Sequence, residues 1–191
     1  MFKGTSASAG IGIGKAVIVE EAELVITRNE VADAEAEIQR FKGALEKTIA
    51  ATQKMADDLA SRVGEKEAEI MQGHMMLLSD PMLTGEIENS VKNDKVNCEF
   101  AIENVCNMYA DMFASMGDEL MQQRATDMRD IKVRMQRTLM GLESVDVSLL
   151  PKGSILVAKD LTPSMTAGIN PENVSGIVTE LGGKTSHSAI L

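Results

Sequence analysis

The chain has 191 residues, enough for one or two domains that bury roughly 68 to 70 % of the unfolded surface, so neither disulfides nor a structural metal is needed to hold it together. With 44 % hydrophobic and 25 % charged residues, a mean hydropathy of −0.05 and no long apolar run, it reads as a globular chain rather than a membrane-spanning or disordered one. The 29 acidic and 19 basic side chains give a net charge of −10, and Trp is absent, which argues against nucleic acid and anionic membranes as partners and favours a basic protein.

The opening MFKGTSASAGIGIGKA has one Lys and no continuous apolar core, so no secretory signal is expected. Residues 1–27 are rich in Gly, Ser and β-branched side chains, and AVIVE at 16–20 and LVIT at 24–27 predict short strands. From Asn29 the period changes. Val31, Ile38, Phe41, Leu45, Ile49, Met55, Leu59 and Val63 recur at near-helical spacing up to Gly64, predicting a long amphipathic helix.

A second helix is expected through KEAEIMQGHMMLL to the break at Ser79, Asp80 and Pro81, and MLTGEIENSVKN offers a third. Asn97 is the expected cap of a fourth, CEFAIENVCNMYADMFASM, ended by Gly117. The fifth, DELMQQRATDMRDIKVRMQRTLM, closes at Gly141. Short links between them predict antiparallel neighbours in a bundle over 29–141. Cys98 and Cys106 lie eight residues apart on the fourth helix, so their Cα atoms stand about 12 Å apart. That exceeds disulfide reach and predicts reduced thiols in a cytoplasmic protein.

After Pro151 the pattern returns to sheet, with SILVA at 154–158, a short helix over Pro163 capped by Thr162, and GIVTE at 176–180. A helical insertion therefore interrupts an α/β domain. The final LGGKTSHSAIL puts a Gly pair after a strand and a hydroxyl cluster at a helix start. A strand-loop-helix unit without further strands leaves an exposed sheet edge, the expected mark of a piece of a longer protein.

Two Gly-rich stretches invite a phosphate-loop reading. Around Gly10, Gly12 and Gly14 the spacing fits neither dinucleotide nor nucleotide loops, since Ala9 and Ala16 stand where Gly and Ser/Thr are required, so a tight entry into a strand is expected. Gly183-Lys184-Thr185 resembles the end of a nucleotide loop, but Val178 occupies its first Gly position. His187 is the chemically pointed residue. Gly182 and Gly183 let backbone approach an anion, Thr185 and Ser186 supply donors, and a neutral imidazole with one free nitrogen is a competent nucleophile toward phosphorus.

LGGKTSHSAI at 181–190 resembles the phosphohistidine signature of the phosphoenolpyruvate-utilising enzymes. KGTSASAGIGIGKA, EAEIMQGHMMLLSDPML, QRATDMRDIKVRMQRTLMGL and ILVAKDLTPSMTA, in that order, resemble enzyme I of the sugar phosphotransferase system, over essentially the whole chain. The resemblance implies a swivelling α/β phosphohistidine domain, residues 1–28 and 142–191, truncated on its C-terminal side. An inserted all-α helical-bundle subdomain, residues 29–141, would dock the phosphocarrier protein HPr. Phosphoryl transfer would run from phosphoenolpyruvate to Nε2 of His187 and on to a histidine of HPr. Thr166 would hydrogen-bond the imidazole, Arg124 would stand near the phosphoryl group, and Lys184 occupies a position where many members carry Arg, beside Thr185 and Ser186.

The same resemblance places the HPr surface at Glu65, Glu67, His74, Met76, Leu77, Leu83, Phe113, Met121 and Arg124, with Pro81 and Met82 where acidic residues are common. Residues 20–69 hold 13 acidic and 7 basic side chains, a net of −6, which would attract a basic patch. The 14 methionines either fill core gaps or build an adaptable docking face, and burial decides between these. By itself, His74 beside Gly73 reads as a packed helix residue. The phosphoenolpyruvate and Mg²⁺ site and the homodimer contact would belong to a C-terminal barrel absent from this chain, which by itself is expected neither to use phosphoenolpyruvate nor to hold a cofactor or metal. The other readings are an inert HPr-docking module and a phosphohistidine domain of a dikinase or phosphoenolpyruvate synthase.

Overall fold

A computed structural model describes residues 4–181, which form two compact units: residues up to 22 with those from 145 onward, and residues 23–144. Most of the described chain is helical, with one small sheet. The unit boundaries fall at 22/23 and 144/145, where the sequence reading put them at 28/29 and 141/142. The difference at the first boundary has a physical cause. LVIT at 24–27 forms no strand: Val25, Ile26 and Thr27 line a cleft with Glu37, Arg40 and Met140 of the helical unit. Asn29 and Val31 just beyond are tied to the third interhelical link, since Asn97 N–H donates to Asn29 O at 3.0 Å and Val31 N–H to Lys95 O at 2.9 Å.

The smaller unit holds β1 (Lys15–Val19), a 3-10 turn (Val147–Leu149), β2 (Ser154–Ala158), a short helix that is the sixth in chain order, α6 (Pro163–Gly168), and β3 (Val174–Thr179). The strands are parallel in the order β1-β2-β3, with Val17 opposite Leu156 and Leu156 opposite Ile177. One sheet face is covered: Val19, Leu156, Ala158, Val147, Leu161 and Ile169 form its core. The other carries Ile18, 69 % exposed, and the exposed Val178. The N-terminal glycines serve close backbone approach, because a Cβ on Gly12 would collide with the Ser175 carbonyl and one on Gly14 with that of Gly153. Lys15 N–H donates to that same Gly153 oxygen at 3.1 Å, which sets the entry into β1.

The larger unit contains α1 (Ala34–Arg62), α2 (Glu65–Leu78), α3 (Pro81–Asp94), α4 (Cys98–Ser115) and α5 (Glu119–Met140). Asp33, Asp80 and Asp118 cap α1, α3 and α5 by accepting backbone N–H bonds, which satisfies orphan donors of the first turns. Asn97 stands at the start of α4 but does not cap it with its side chain; its Oδ1 accepts from Asn29 N–H at 2.9 Å instead. Gly141 ends α5 in the left-handed conformation, φ 66°.

The core of this unit runs through Ile38, Phe41, Leu83, Ile87, Ile102 and Ile131. Its α1 stripe differs from the predicted one: Ala44, Thr48, Thr52 and Ala56 are buried, while Leu45, Ile49 and Met55 are only half-buried and Val63 is exposed. The reason is a polar seam toward α5, where Thr48 and Thr138 hydroxyls meet at 3.2 Å and Arg134 Nη2 donates to Thr52 Oγ1 at 2.7 Å. No described helix is long and apolar enough to cross a membrane.

Candidate functional site

The two units carry separate parts of the predicted site. In the smaller unit the pairing of β2 and β3 continues past the strands: Glu180 N–H donates to Ala158 O at 3.2 Å and Leu181 N–H to Lys159 O at 2.8 Å. Leu181 thus lies at the carboxyl end of the sheet, beside the segment that leads into α6, and in open parallel sheets that end is where ligands gather. His187, Lys184, Thr185 and Ser186 lie outside the described residues. Thr162 caps α6, accepting from Met165 N–H at 3.3 Å and sharing a 3.1 Å hydroxyl contact with Ser164. One turn later Thr166 is buried, and its Oγ1 has no hydrogen-bond partner among the described residues.

The larger unit places Arg124 in the second turn of α5, its side chain one-third exposed (33 %). Its Nη1 lies 3.6 Å from Oδ2 of Asp127, and the other carboxylate oxygen of Asp127 meets Nε2 of His74 at 3.2 Å. Gly73 flanks the same guanidinium, since a Cβ there would fall 2.5 Å from Arg124 Nη1. The predicted docking residues divide by burial. Glu65 and Met76 are exposed, the latter by 71 %, and Glu67, Leu77, Phe113 and Met121 are half-buried. His74 and Leu83 are fully enclosed, because α2 and α3 turn them into the bundle, so they stand behind a surface rather than on it.

Exposed apolar side chains cluster at the corners of the bundle. Met76 lies in the last turn of α2, Met82 in the first turn of α3, and Met112, Met116 and Leu120 flank the α4–α5 link. Met71, Met128 and Met135 are buried, so the methionines serve both as core filler and as surface. Tyr109 stacks obliquely on Phe113, with ring centroids 6.3 Å apart, and slight burial together with Glu86 and Asp80 nearby raises its phenol above the ordinary value. The thiols of Cys98 and Cys106 are free, and burial pushes both up to about 12, which makes them inert.

Asp127 and Gly73 were not singled out by motif reasoning. The signal available was a polar series on one face of α5, Asp127, Asp130, Arg134 and Arg137 at helical spacing, all of it turned inward or partly inward in the structure. Among the described residues no group of three or more His, Cys, Asp or Glu side chains is gathered to hold a metal ion.

The comparisons with known proteins agree in one direction. Residues 3–124 match the family described as PEP-utilising enzyme, N-terminal, and residues 150–191 match PEP-utilising enzyme, mobile domain. The whole chain is 42 % identical over 190 residues to the phosphoenolpyruvate-protein phosphotransferase of Listeria monocytogenes, and 40 % identical over 190 residues to that of Bacillus subtilis. It spans 33 % of the length of each. A solution structure of Enzyme I (nEIt) superposes with a TM-score of 0.87 at 38 % identity, covering 100 % of this chain and 77 % of that one. The N-terminal domain of Enzyme 1 - Nitrogen follows with a TM-score of 0.68 at 26 % identity, covering 96 % and 76 %.

Proposed function

Since the chain belongs to the phosphoenolpyruvate-utilising enzymes, as the N-terminal region of an Enzyme I, we propose that it carries a phosphoryl group on His187 and exchanges it with the phosphocarrier HPr. In the whole protein the donor is phosphoenolpyruvate: Nε2 of His187 attacks phosphorus, the bond from phosphorus to the enol oxygen breaks, and pyruvate leaves as its enolate and takes up a proton. HPr then accepts the phosphoryl group on one of its histidines, and His187 returns to neutral imidazole. This is the first step of sugar phosphotransfer. The observation that carries the reading is the match of residues 150–191, LGGKTSHSAI included, to the mobile domain of these enzymes.

Two features of the geometry support it. The Thr166 hydroxyl is buried without a partner among the described residues, and it suits an acceptor or donor role toward an imidazole that must keep one tautomer. Arg124, its fork of donors partly exposed, suits the oxygens of a phosphoryl group in transit. Lys184 supplies a point charge in place of the more frequent Arg, and Thr185 and Ser186 supply hydroxyl donors. The swivelling α/β domain and the HPr-docking bundle of the family are assigned to the smaller and the larger unit.

HPr docks, in this reading, on a surface that includes Met76, Leu77, Met121 and Phe113, with Glu65 and Glu67 drawing its basic patch. Phosphoenolpyruvate and Mg²⁺ are assigned to the two-thirds of the relatives' length that this chain does not span, as is the homodimer contact. The unpaired thiols fit a cytoplasmic setting. The test is uptake of acid-labile, base-stable phosphate from phospho-HPr, read by intact mass with a His187→Ala control. Uptake abolished in the control supports the assignment. No uptake, with HPr still shifting the NMR signals of the bundle, favours an inert docking module.

A further inference from the structure

The Arg124 guanidinium has close neighbours on two sides. Gly73 on α2 lies directly beneath its guanidinium, where a Cβ would stand 2.5 Å from Nη1, 3.6 Å from Cζ and 3.8 Å from Nη2. Asp127, one turn along α5, lies 3.6 Å from Nη1 and is only 6 % exposed. Its second oxygen is held at 3.2 Å by Nε2 of His74, a ring with 0 % exposure. A carboxylate only accepts hydrogen bonds, so Nε2 carries the proton and donates. The other face of the ring is bounded by Asp130, whose Oδ2 lies 3.9 Å from Nδ1. Gly73 and His74 are consecutive on α2, so one helix provides both the floor under the cation and the anchor behind its counter-ion.

We infer that Gly73, His74 and Asp127 are positioning residues that hold the Arg124 guanidinium in a single orientation for the transferring phosphoryl group. This rests on the proposed role of Arg124 in phosphoryl transfer. A planar fork of donors matches phosphate oxygens only when its plane and direction are set in advance. The distance of 3.6 Å to Asp127 is an ion pair without a tight bidentate bond, so it orients the cation and leaves its donors for an incoming anion. His74 thereby serves the docking site from inside the bundle, without touching a partner. The absence of a side chain at position 73 also has a cause, because the space a Cβ would occupy is filled by the cation.

Gly73→Ala is the discriminating variant, because its methyl collides with the far end of a flexible side chain and not with backbone. The readouts are the Arg124 Nε–Hε NMR signal, the thermal midpoint, and the rate of phosphate uptake from phospho-HPr by this chain. The expected result is an unchanged midpoint, an Arg124 signal moved to the position of a solvated arginine, and a maximal single-turnover uptake rate about tenfold lower, with the phospho-HPr concentration at half-maximal rate changed less than about twofold. His74→Leu is expected to release the Arg124 signal as well, and His74→Gln, which keeps a donor, to retain it. An Arg124 signal and a rate unaltered by Gly73→Ala would overturn the inference, as would an equal loss of rate in an Arg124→Ala background. Should the unmodified chain take up no phosphate while the arginine signal still responds, the transfer reading falls and the positioning geometry stands.

Discussion

The Thr166 hydroxyl has been removed from water without gaining a partner among the described residues. A buried hydroxyl in that state costs about 1–3 kcal/mol, and nothing in the packing of the described residues offsets that cost. Pairing with the His187 imidazole would, and the two explanations separate on replacement by an isostere. Thr166→Val is expected to leave the stability of the unit unchanged or raised, and to slow phosphate uptake from phospho-HPr about tenfold, the effect of losing one interaction of about 1.4 kcal/mol in the transition state. Thr166→Ser should restore the rate. Wild-type uptake in the valine variant, measured by rapid quench and intact mass, would remove Thr166 from the site. As candidates, Thr166, His187 and Arg124 were singled out in the sequence through their motifs. Gly73 and Asp127 were not, because their part depends on α2 lying against the second turn of α5, and no periodicity along one helix encodes its neighbour.

The helix breaks at Gly64, Ser79–Pro81, Gly117 and Gly141 were legible because their chemistry is local, whereas the start of α1 at Asp33 was not, and Asn97 does not cap α4 with its side chain as expected. Asp33, Asp80 and Asp118 accept from the first turns, Pro81 opens α3, and Gly141 closes α5. The LVIT stretch misled because β-branched composition signals an extended chain but not a strand partner, and here the extended chain runs along the helical unit. Two links take a positive φ, one with the residue suited to it and one without. Gly64, which joins α1 to α2, has φ 151° and ψ 164°, a region essentially reserved for glycine, whereas Lys95, which ends α3, has φ 50° with a side chain present. Gly64→Ala is therefore expected to lower the unfolding free energy by about 1–3 kcal/mol, with its Cβ also meeting the Glu67 carboxylate. Lys95→Gly relieves about 1–2 kcal/mol of left-handed strain and adds back about 0.5–1 kcal/mol of unfolded-chain entropy, a net gain of about 0.5–1 kcal/mol. Urea unfolding followed by circular dichroism at 222 nm checks both, and equal signs for the two variants would contradict the geometry.

At the scale of the whole molecule two charge effects oppose each other as pH falls. The net charge of −10 favours protonation of carboxylates, which relieves self-repulsion. Against it stand two ion-pair clusters that tie α4 to its neighbours. Arg40 of α1 bonds Glu37 at 2.7 Å and Glu99 at 2.8 Å, and Lys132 of α5 bonds Glu103 at 3.0 Å. The hydrogen bond from Arg40 holds Glu37 below the ordinary carboxylate value, despite some burial. Burial works against ionisation of Glu99 and Glu103, but bonds from Arg40 and Asn97 to the first, and from Gln136, Lys132 and Asn107 to the second, prevail and lower both. In each case the unfolded chain binds protons at a higher pH than the folded one, so this stabilisation is complete above the ordinary carboxylate range and is lost as pH drops through it toward the lowered folded values. Repulsion between exposed charges is largely screened beyond about 8 Å at physiological salt, while the paired, half-buried carboxylates are not. The clusters should therefore win: the urea midpoint is expected to hold steady from pH 7 to about 5.5 and then fall toward pH 3. Glu99→Gln should lower the midpoint at pH 7 and flatten the profile, so that variant and wild type converge in acid. A midpoint that rises between pH 6 and 4 in both proteins would instead make self-repulsion the stronger of the two effects.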